Sequence, residues 1–166
     1  MKLNSERLNY TSFAINGIAD YAQLVMNENV MRYVTKRALT KEETEARFKN
    51  ITGINERHPD VGYFSVRIKE DNKFIGLAKL VYTNPQEAEI GYMLMPEFWG
   101  MKYASEMVQC LVNYAVTIQK IKTLIAIVDP ENPASIKVLI KNGFKFYLKG
   151  FIEGLPAEYY RKALKK

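Results

Sequence analysis

The sequence predicts an α/β (α+β) fold on a mixed, mostly antiparallel sheet, and three observations lead there. Alternating apolar segments at 62–68, 74–82 and 88–94 follow one another with short turn stretches between them. Two helical periodicities come next, separated by the apolar run 122–128, and the chain closes on two more strand-like segments at 144–152 and 157–164. Strands in succession, then helices alternating with a strand, are the pattern of a sheet with helices packed on it. A chain of 166 residues is long enough to bury one full core, so a single domain over 1–166 is expected.

Taken in order, RLNYTSFAI (7–15) carries Leu8, Tyr10 and Phe13 near strand period, and ADYAQLVM (19–26) reads as a short helix. Thr40 followed by Glu43 forms a capping box that satisfies orphan amides at both ends and opens a helix to about Asn55. GYFSVRI and FIGLAKLVY flank the turn residues 70–73 and make an antiparallel hairpin, to which AEIGYML adds a third strand after Asn84-Pro85. Pro96 stops that strand. From Lys102, apolar residues at 103, 104, 107, 108, 111, 114, 115 and 118 keep helical spacing. KTLIAIV (122–128) is a nearly continuous apolar run, as expected of a strand buried on both faces. The segment from Asp129 then starts a helix that ends at Asn142-Gly143, and the final two strands pair around Gly154 and Pro156.

Composition narrows the chemistry. With 48% apolar and 25% charged residues the balance is globular, and no apolar run approaches the roughly 20 residues a membrane span requires. The N-terminus lacks the continuous apolar segment of a secretory signal, so a cytoplasmic location and no membrane partner are expected. One cysteine (Cys110) and one histidine (His58) exclude an intrachain disulfide, a Cys/His dyad and a Cys/His metal centre, and no metal is expected. The net charge of +6 is concentrated in residues 141–166, which hold seven Lys or Arg against two Glu. A basic surface can draw nucleic acid, but no aromatic RNA-binding motif accompanies it, so the plainer reading is a solvated face and nucleic acid is not an expected partner.

Three constellations can carry chemistry. The loop Gly100, Met101, Lys102, Tyr103, Ala104, Ser105 precedes a long helix, whose first amides and dipole favour a bound phosphate. By itself a glycine before a helix is a weak signal, and an ordinary tight turn is the favoured reading. Asn132 and Ser135 lie three apart at the next helix start, where both can bind a ligand, or act as an N-cap and its partner. Glu89 is a lone acid within an apolar strand, where partial burial beside a cleft would suit it to accept a proton.

Trp99-Gly100-Met101-Lys102-Tyr103-Ala104-Ser105-Glu106, together with Asn132, Ser135, Val138, Leu139, Gly143 and Phe144 in the second motif, resembles the GNAT superfamily of acyl-CoA N-acyltransferases. Within it, the chain is most similar to the branch that includes ribosomal-protein N-terminal acetyltransferases, over almost its whole length. The resemblance implies a sheet of about seven strands in which a splayed pair opens a slot for acetyl-CoA. It implies that main-chain groups of Tyr92, Met93 and Leu94 pair with the pantetheine amides, that amides from Gly100 to Ser105 receive the pyrophosphate, and that Asn132 contacts the cofactor. Direct attack of a primary amine on the thioester is the implied reaction, the acceptor being a small molecule or a protein N-terminus. Glu89 stands where some members place a base, with Asp129 as the alternative. The tyrosine that many relatives use as the thiolate's acid is replaced by Leu139, which leaves Ser135 as the nearest hydroxyl.

Lys102 departs from the motif, which has glycine there. It is expected to be tolerated or mildly helpful provided its backbone is helical; a positive φ would instead favour a degenerate acyl-CoA-binding regulatory domain, the alternative function. Many relatives pair through sheet edges or C-terminal strands, which leaves a homodimer open. Among the remaining residues, Trp99 reads as a packing anchor, Cys110 as a small buried hydrophobe and His58 as exposed. Tyr159 or Tyr160 can face the acceptor slot and Tyr33 can line its other wall, with ordinary packing the commoner role of each.

Overall fold

Residues 3–166 are described in the computed structural model, and each sequence period finds its element. β1 (Leu8–Ser12), α1 (Ile18–Val25), the short α2 (Glu28–Met31) and α3 (Lys41–Arg57) precede β2 (Gly62–Ile68), β3 (Phe74–Asn84) and β4 (Glu87–Leu94). Then come α4 (Tyr103–Thr117), β5 (Thr123–Val128), α5 (Pro133–Lys141), β6 (Lys145–Ile152) and β7 (Leu155–Ala163). The seven strands form one sheet in the order β1-β2-β3-β4-β5-β7-β6, with β4 and β5 parallel and the other neighbours antiparallel. Among the described residues no helix is long and apolar enough to cross a membrane.

Local signals decide several boundaries. Thr40 Oγ1 accepts the Glu43 amide at 3.1 Å, capping α3 as expected. The Glu43 carboxylate reaches back to Thr40, accepting its Oγ1 at 3.2 Å, and also takes Arg37, which donates to both of its oxygens at 3.0 Å. At the end of α5, Gly143 takes φ +85°, its amide reaches Ile140 O and the Phe144 amide reaches Leu139 O, the paired bonds that let a glycine terminate a helix. Glu153 and Gly154, both at positive φ, form the two-residue turn between β6 and β7.

The sheet is covered on both faces except at its edge strand β6, which is largely exposed. α4 packs Met107, Val108 and Leu111 against Tyr10, Val66, Leu80 and Ile90, with Leu139 of α5 in the same core. On the opposite face α1 and α3 enclose Phe13, Tyr21, Leu24, Phe48 and Ile51 over Leu77. β5 departs from expectation here. Leu124, Ala126 and Val128 are buried while Thr123, Ile125 and Ile127 are only half-buried, so one face enters the core and the other is partly open. His58 also differs, being half-buried edge-on against Tyr82.

β4 and β5 stay together only from Glu87↔Thr123 to Ile90↔Ala126. Beyond that point β4 continues to Leu94 on its β3 side, and β5 continues to Val128 on its β7 side. The two strands therefore part, and residues 91–94 have no strand neighbour on one edge. Gly76 keeps β4 in place on the other edge: a Cβ there would lie 2.0 Å from Met93 O, and that atom is backbone. Only a residue without a side chain lets β3 approach this closely.

Behind the loop before α4, Glu106 ties the N-terminal strand to the helix. Its Oε1 accepts Ser5 Oγ at 2.6 Å and the Arg7 amide at 2.8 Å, and its Oε2 accepts Arg7 Nε at 2.7 Å. Arg7 also donates to Met101 O at 3.1 Å and lies 4.2 Å from the centre of the Tyr103 ring. Burial alone would raise the Glu106 carboxyl, but the Ser5 hydroxyl, the Arg7 amide and the Arg7 guanidinium outweigh it and hold the group below the usual carboxylate range. A depressed folded-state value stabilises the fold above the unfolded glutamate pKa of about 4.3 and loses that contribution as pH falls through the folded value. Glu106→Gln should therefore cost about 2 kcal/mol at pH 7 in urea unfolding, typical of hydrogen bonds to a charged group. The gap to wild type should narrow in acid; a gap independent of pH would remove the charge from the account.

Candidate active site

The parting of β4 from β5 opens a cavity of about 390 Å3. Its lining comes from both sides of the sheet, because successive β4 residues point to opposite faces. Glu89, Gly91 and Met93 belong to the α1–α3 side with Tyr21, Arg47, Ile51, Tyr63 and Lys79, whereas Tyr92 belongs to the α5 side with Ser135 and Leu139. The opening is a passage through the sheet.

On the α5 side, the Tyr92 and Ser135 hydroxyls lie 3.0 Å apart. Burial raises the Tyr92 phenol, with the Ser135 hydrogen bond pulling the other way, so the phenol stays protonated at neutral pH, and either hydroxyl can donate to the other. Ser135 is fixed from its own backbone as well: Asn132 Oδ1 accepts the Ser135 amide at 3.2 Å and caps α5. The plainer of the two readings of Asn132 is thus realised, and its side chain lies outside the cavity lining. Leu139 is buried in the cavity wall, where it presents no proton donor.

On the other side, Glu89 Oε1 accepts Lys79 Nζ at 2.5 Å, and both side chains are about one-fifth exposed, at 19% and 20%. Glu89 is therefore an ion-paired carboxylate beside the cleft, and its Oε2 has no hydrogen-bond partner among the described residues. Asp129, the alternative, is held twice: its Oδ1 accepts the Glu131 amide at 2.8 Å in a turn, and its Oδ2 is paired with Lys36. Tyr33 lines the wall as expected, but neither Tyr159 nor Tyr160 does. Tyr160 is buried and donates to Glu158 at 3.0 Å, while Tyr159 packs over Gly150.

The loop from Gly100 to Ser105 sits at the same end of β4, outside the cavity lining. No side chain caps α4, so the start of a fifteen-residue helix offers its dipole and first-turn amides outward. Gly100 stands at φ +75° with open space where a Cβ would be. Lys102 corrects the expectation of a helical backbone: it is the N-cap residue, at φ +65° and ψ 13°, in the left-handed region that favours glycine. A non-glycine residue there costs about 1–2 kcal/mol. Trp99 anchors the loop, donating from Nε1 to Leu94 O at 3.0 Å, which engages one of the main-chain acceptors assigned to the cofactor. Cys110 is buried, with its thiol on Asn4 O at 3.4 Å.

Two contributions escape a reading of the sequence. The Tyr92 hydroxyl joins Ser135 across 43 positions, and Arg7 supports the loop from a strand 94 positions away. Glu106 was visible as a motif residue; its partners were not.

The GNAT acetyltransferase domain family matches residues 7–145. The uncharacterized N-acetyltransferase YnaD of Bacillus subtilis (strain 168) is 26% identical over 172 residues, covering 100% of this chain and 98% of its own. The uncharacterized N-acetyltransferase p20 of Bacillus licheniformis is 37% identical over 91 residues, and this chain spans half of its length (50%), with 54% of this chain covered. Among solved structures, RimL, a ribosomal L7/L12 alpha-N-protein acetyltransferase in complex with coenzyme A, superposes with a TM-score of 0.82 at 18% identity, over 99% of this chain and 98% of that one. With the seven-stranded sheet and parted β4–β5 pair already in view, the match over residues 7–145 identifies this chain as a member of the GNAT acetyltransferase family.

Proposed function

We propose that the protein is an acetyl-CoA-dependent N-acetyltransferase that transfers an acetyl group to a primary amine by direct attack. The observation that carries this reading is the coincidence, at one end of β4, of an unpaired strand edge, a passage through the sheet and an uncapped helix start. Those three features fit the parts of acetyl-CoA: pantetheine amides beside residues 91–94, the thioester in the passage, and the pyrophosphate at the amides that follow Gly100. Tyr92, Met93 and Leu94 would supply main-chain partners, and Gly100, Met101, Lys102, Tyr103, Ala104 and Ser105 the phosphate cradle. Asn132 acts at one remove, by holding the helix turn that presents Ser135.

Acetyl-CoA supplies an activated acyl group; the chain supplies position and proton management. The attacking nitrogen loses a proton, for which Glu89 is the acceptor on the α1–α3 side, directly or through a water. The departing sulfur gains a hydrogen-bond donor, Ser135 Oγ, which is itself backed by the Tyr92 hydroxyl. The base and the donor thus lie on opposite sides of the sheet, which suits an amine that approaches from one face and a thiol that leaves on the other. A cytoplasmic location is part of the proposal.

A degenerate acyl-CoA-binding domain is the second reading, and the positive φ of Lys102 together with Leu139 favours it. The Tyr92–Ser135 pair is the observation against it, because it provides the donor that Leu139 lacks. Ser135→Ala should lower kcat by about a hundredfold, the low end for a positioned proton donor, with KM for acetyl-CoA little changed. Release of free thiol with a panel of amines measures this; wild-type binding of acetyl-CoA with no thiol release on any amine would select the degenerate reading.

Lys102→Gly separates strain from charge. Relief of the left-handed lysine should stabilise the fold by about 1 kcal/mol, a rise of about 2–4 °C in Tm. Loss of the ammonium should weaken CoA binding by about threefold at low salt, an effect that fades as salt screens the pair. Tighter CoA binding by the glycine variant would show that the lysine obstructs the cradle.

A further inference from the structure

The acceptor side of the cavity carries three carboxylates, Glu89, Asp129 and Glu153, and each already faces a cation. Glu89 holds Lys79 and Asp129 holds Lys36. Arg47 is the exception among the cations. It meets Glu153 at 3.4 Å through a single nitrogen, and Glu153 stands on the β6–β7 turn with its side chain 68% exposed. So exposed a pair contributes little, and most of the five guanidinium donors of Arg47 have no protein acceptor among the described residues.

The surroundings of Arg47 add two phenols, and the nearest further carboxylate, Glu89, is already engaged by Lys79. Tyr21 and Tyr63 line the same wall, and neither hydroxyl has a hydrogen-bond partner among the described residues. Burial pushes both phenols up to about 12, the Glu89 charge raises Tyr63 further, and the positive charge of Arg47 acts on both in the opposite sense. Asn50 lies one helical turn from Arg47 on α3 and lines the cavity too. A guanidinium held only by the exposed Glu153, and two protonated phenols, on α1, α3 and β2, form a donor-rich wall, with the Lys79-paired Glu89 on the Tyr63 side. A carboxylate satisfies such a set; an ammonium does not.

We infer that the amine acceptor is a small molecule that also carries a carboxylate, of the α-amino acid type, with the carboxylate seated on Arg47, Tyr21 and Tyr63 and the amine directed to the gap between β4 and β5. This rests on the N-acetyltransferase reading above and names its substrate class. Both ends of such a molecule belong to one cavity, since Arg47, Tyr21 and Tyr63 share a lining with Gly91, Met93 and Ile127. A protein N-terminus places an amide where the carboxylate would be, and a polyamine places a second cation there; both leave the donor set unmet.

The test compares the common L-amino acids with their carboxamides as acceptors, alongside spermidine and short peptides with a free N-terminus. At least about a tenfold higher kcat/KM is expected for the best free acid than for its carboxamide, the size of one charge-assisted hydrogen bond. Arg47→Gln should bring that ratio close to one. Equal use of acid and carboxamide, preference for spermidine or a peptide, or an Arg47→Gln variant that keeps the ratio would overturn the inference while leaving the N-acetyltransferase reading intact. Calorimetry on wild-type protein saturated with CoA gives a readout independent of turnover: N-acetyl amino acids should bind at least about tenfold tighter than their carboxamides. If no amine is acetylated, the N-acetyltransferase reading fails, and the calorimetric ratio alone then decides whether the carboxylate seat exists.

Discussion

Everything at the candidate site depends on two parallel strands that stop pairing after Ile90 and Ala126. Each keeps its other neighbour: β4 stays on β3 to Leu94, and β5 stays on β7 to Val128. A strand edge that lacks a partner inside a protein leaves amides and carbonyls that need one. The fold thus creates, at a fixed place, a short row of hydrogen-bonding groups open to a ligand or water, except Leu94 O, which Trp99 Nε1 holds. Because β4 side chains alternate, the same opening puts Glu89 on one face and Tyr92 with Ser135 on the other. Separation of acceptor and leaving group follows from strand pleat.

What holds this opening is mainly apolar packing and close backbone approach. Gly76 lets β3 clasp β4 at Met93 and Leu94, the residues that border the gap. α4 is anchored through its buried face and through Glu106, which receives Ser5 and Arg7. The pairs Lys36–Glu131 and Arg47–Glu153 involve largely exposed partners and add little by comparison. One left-handed non-glycine residue coincides with an assigned ligand contact: Lys102, at φ +65° at the head of α4. Left-handed non-glycine residues persist only where surrounding structure enforces them.

Legibility in the sequence followed the range of the interaction. Turns, caps and hairpins rest on neighbours in the chain, so the strands from Gly62 to Leu94, the Thr40 cap and the Gly143 stop were readable. β5 was misread because an apolar run does not distinguish a strand buried on both faces from one whose second face borders a cavity; Ile125 and Ile127 are half-buried there. The Glu43 side chain was assigned to its own helix end and stays there on Thr40, but its second partner, Arg37, lay outside the local pattern. The backbone of Lys102 could not be read either, since lysine rarely adopts φ +65° and its identity argues for the helical region. Tyr92 was chosen for its main chain, while its hydroxyl acquires a role only when α5 arrives. Arg47 carries no motif and becomes notable only through what faces it in space.

The central claim is that the gap between β4 and β5, with the head of α4, receives acetyl-CoA. Amide hydrogen exchange on the protein with and without CoA tests it most directly. Protection should rise at residues 91–94 and 103–105 on CoA addition, with little change across β1 and β2. Binding of CoA with no added protection at either segment would contradict the account.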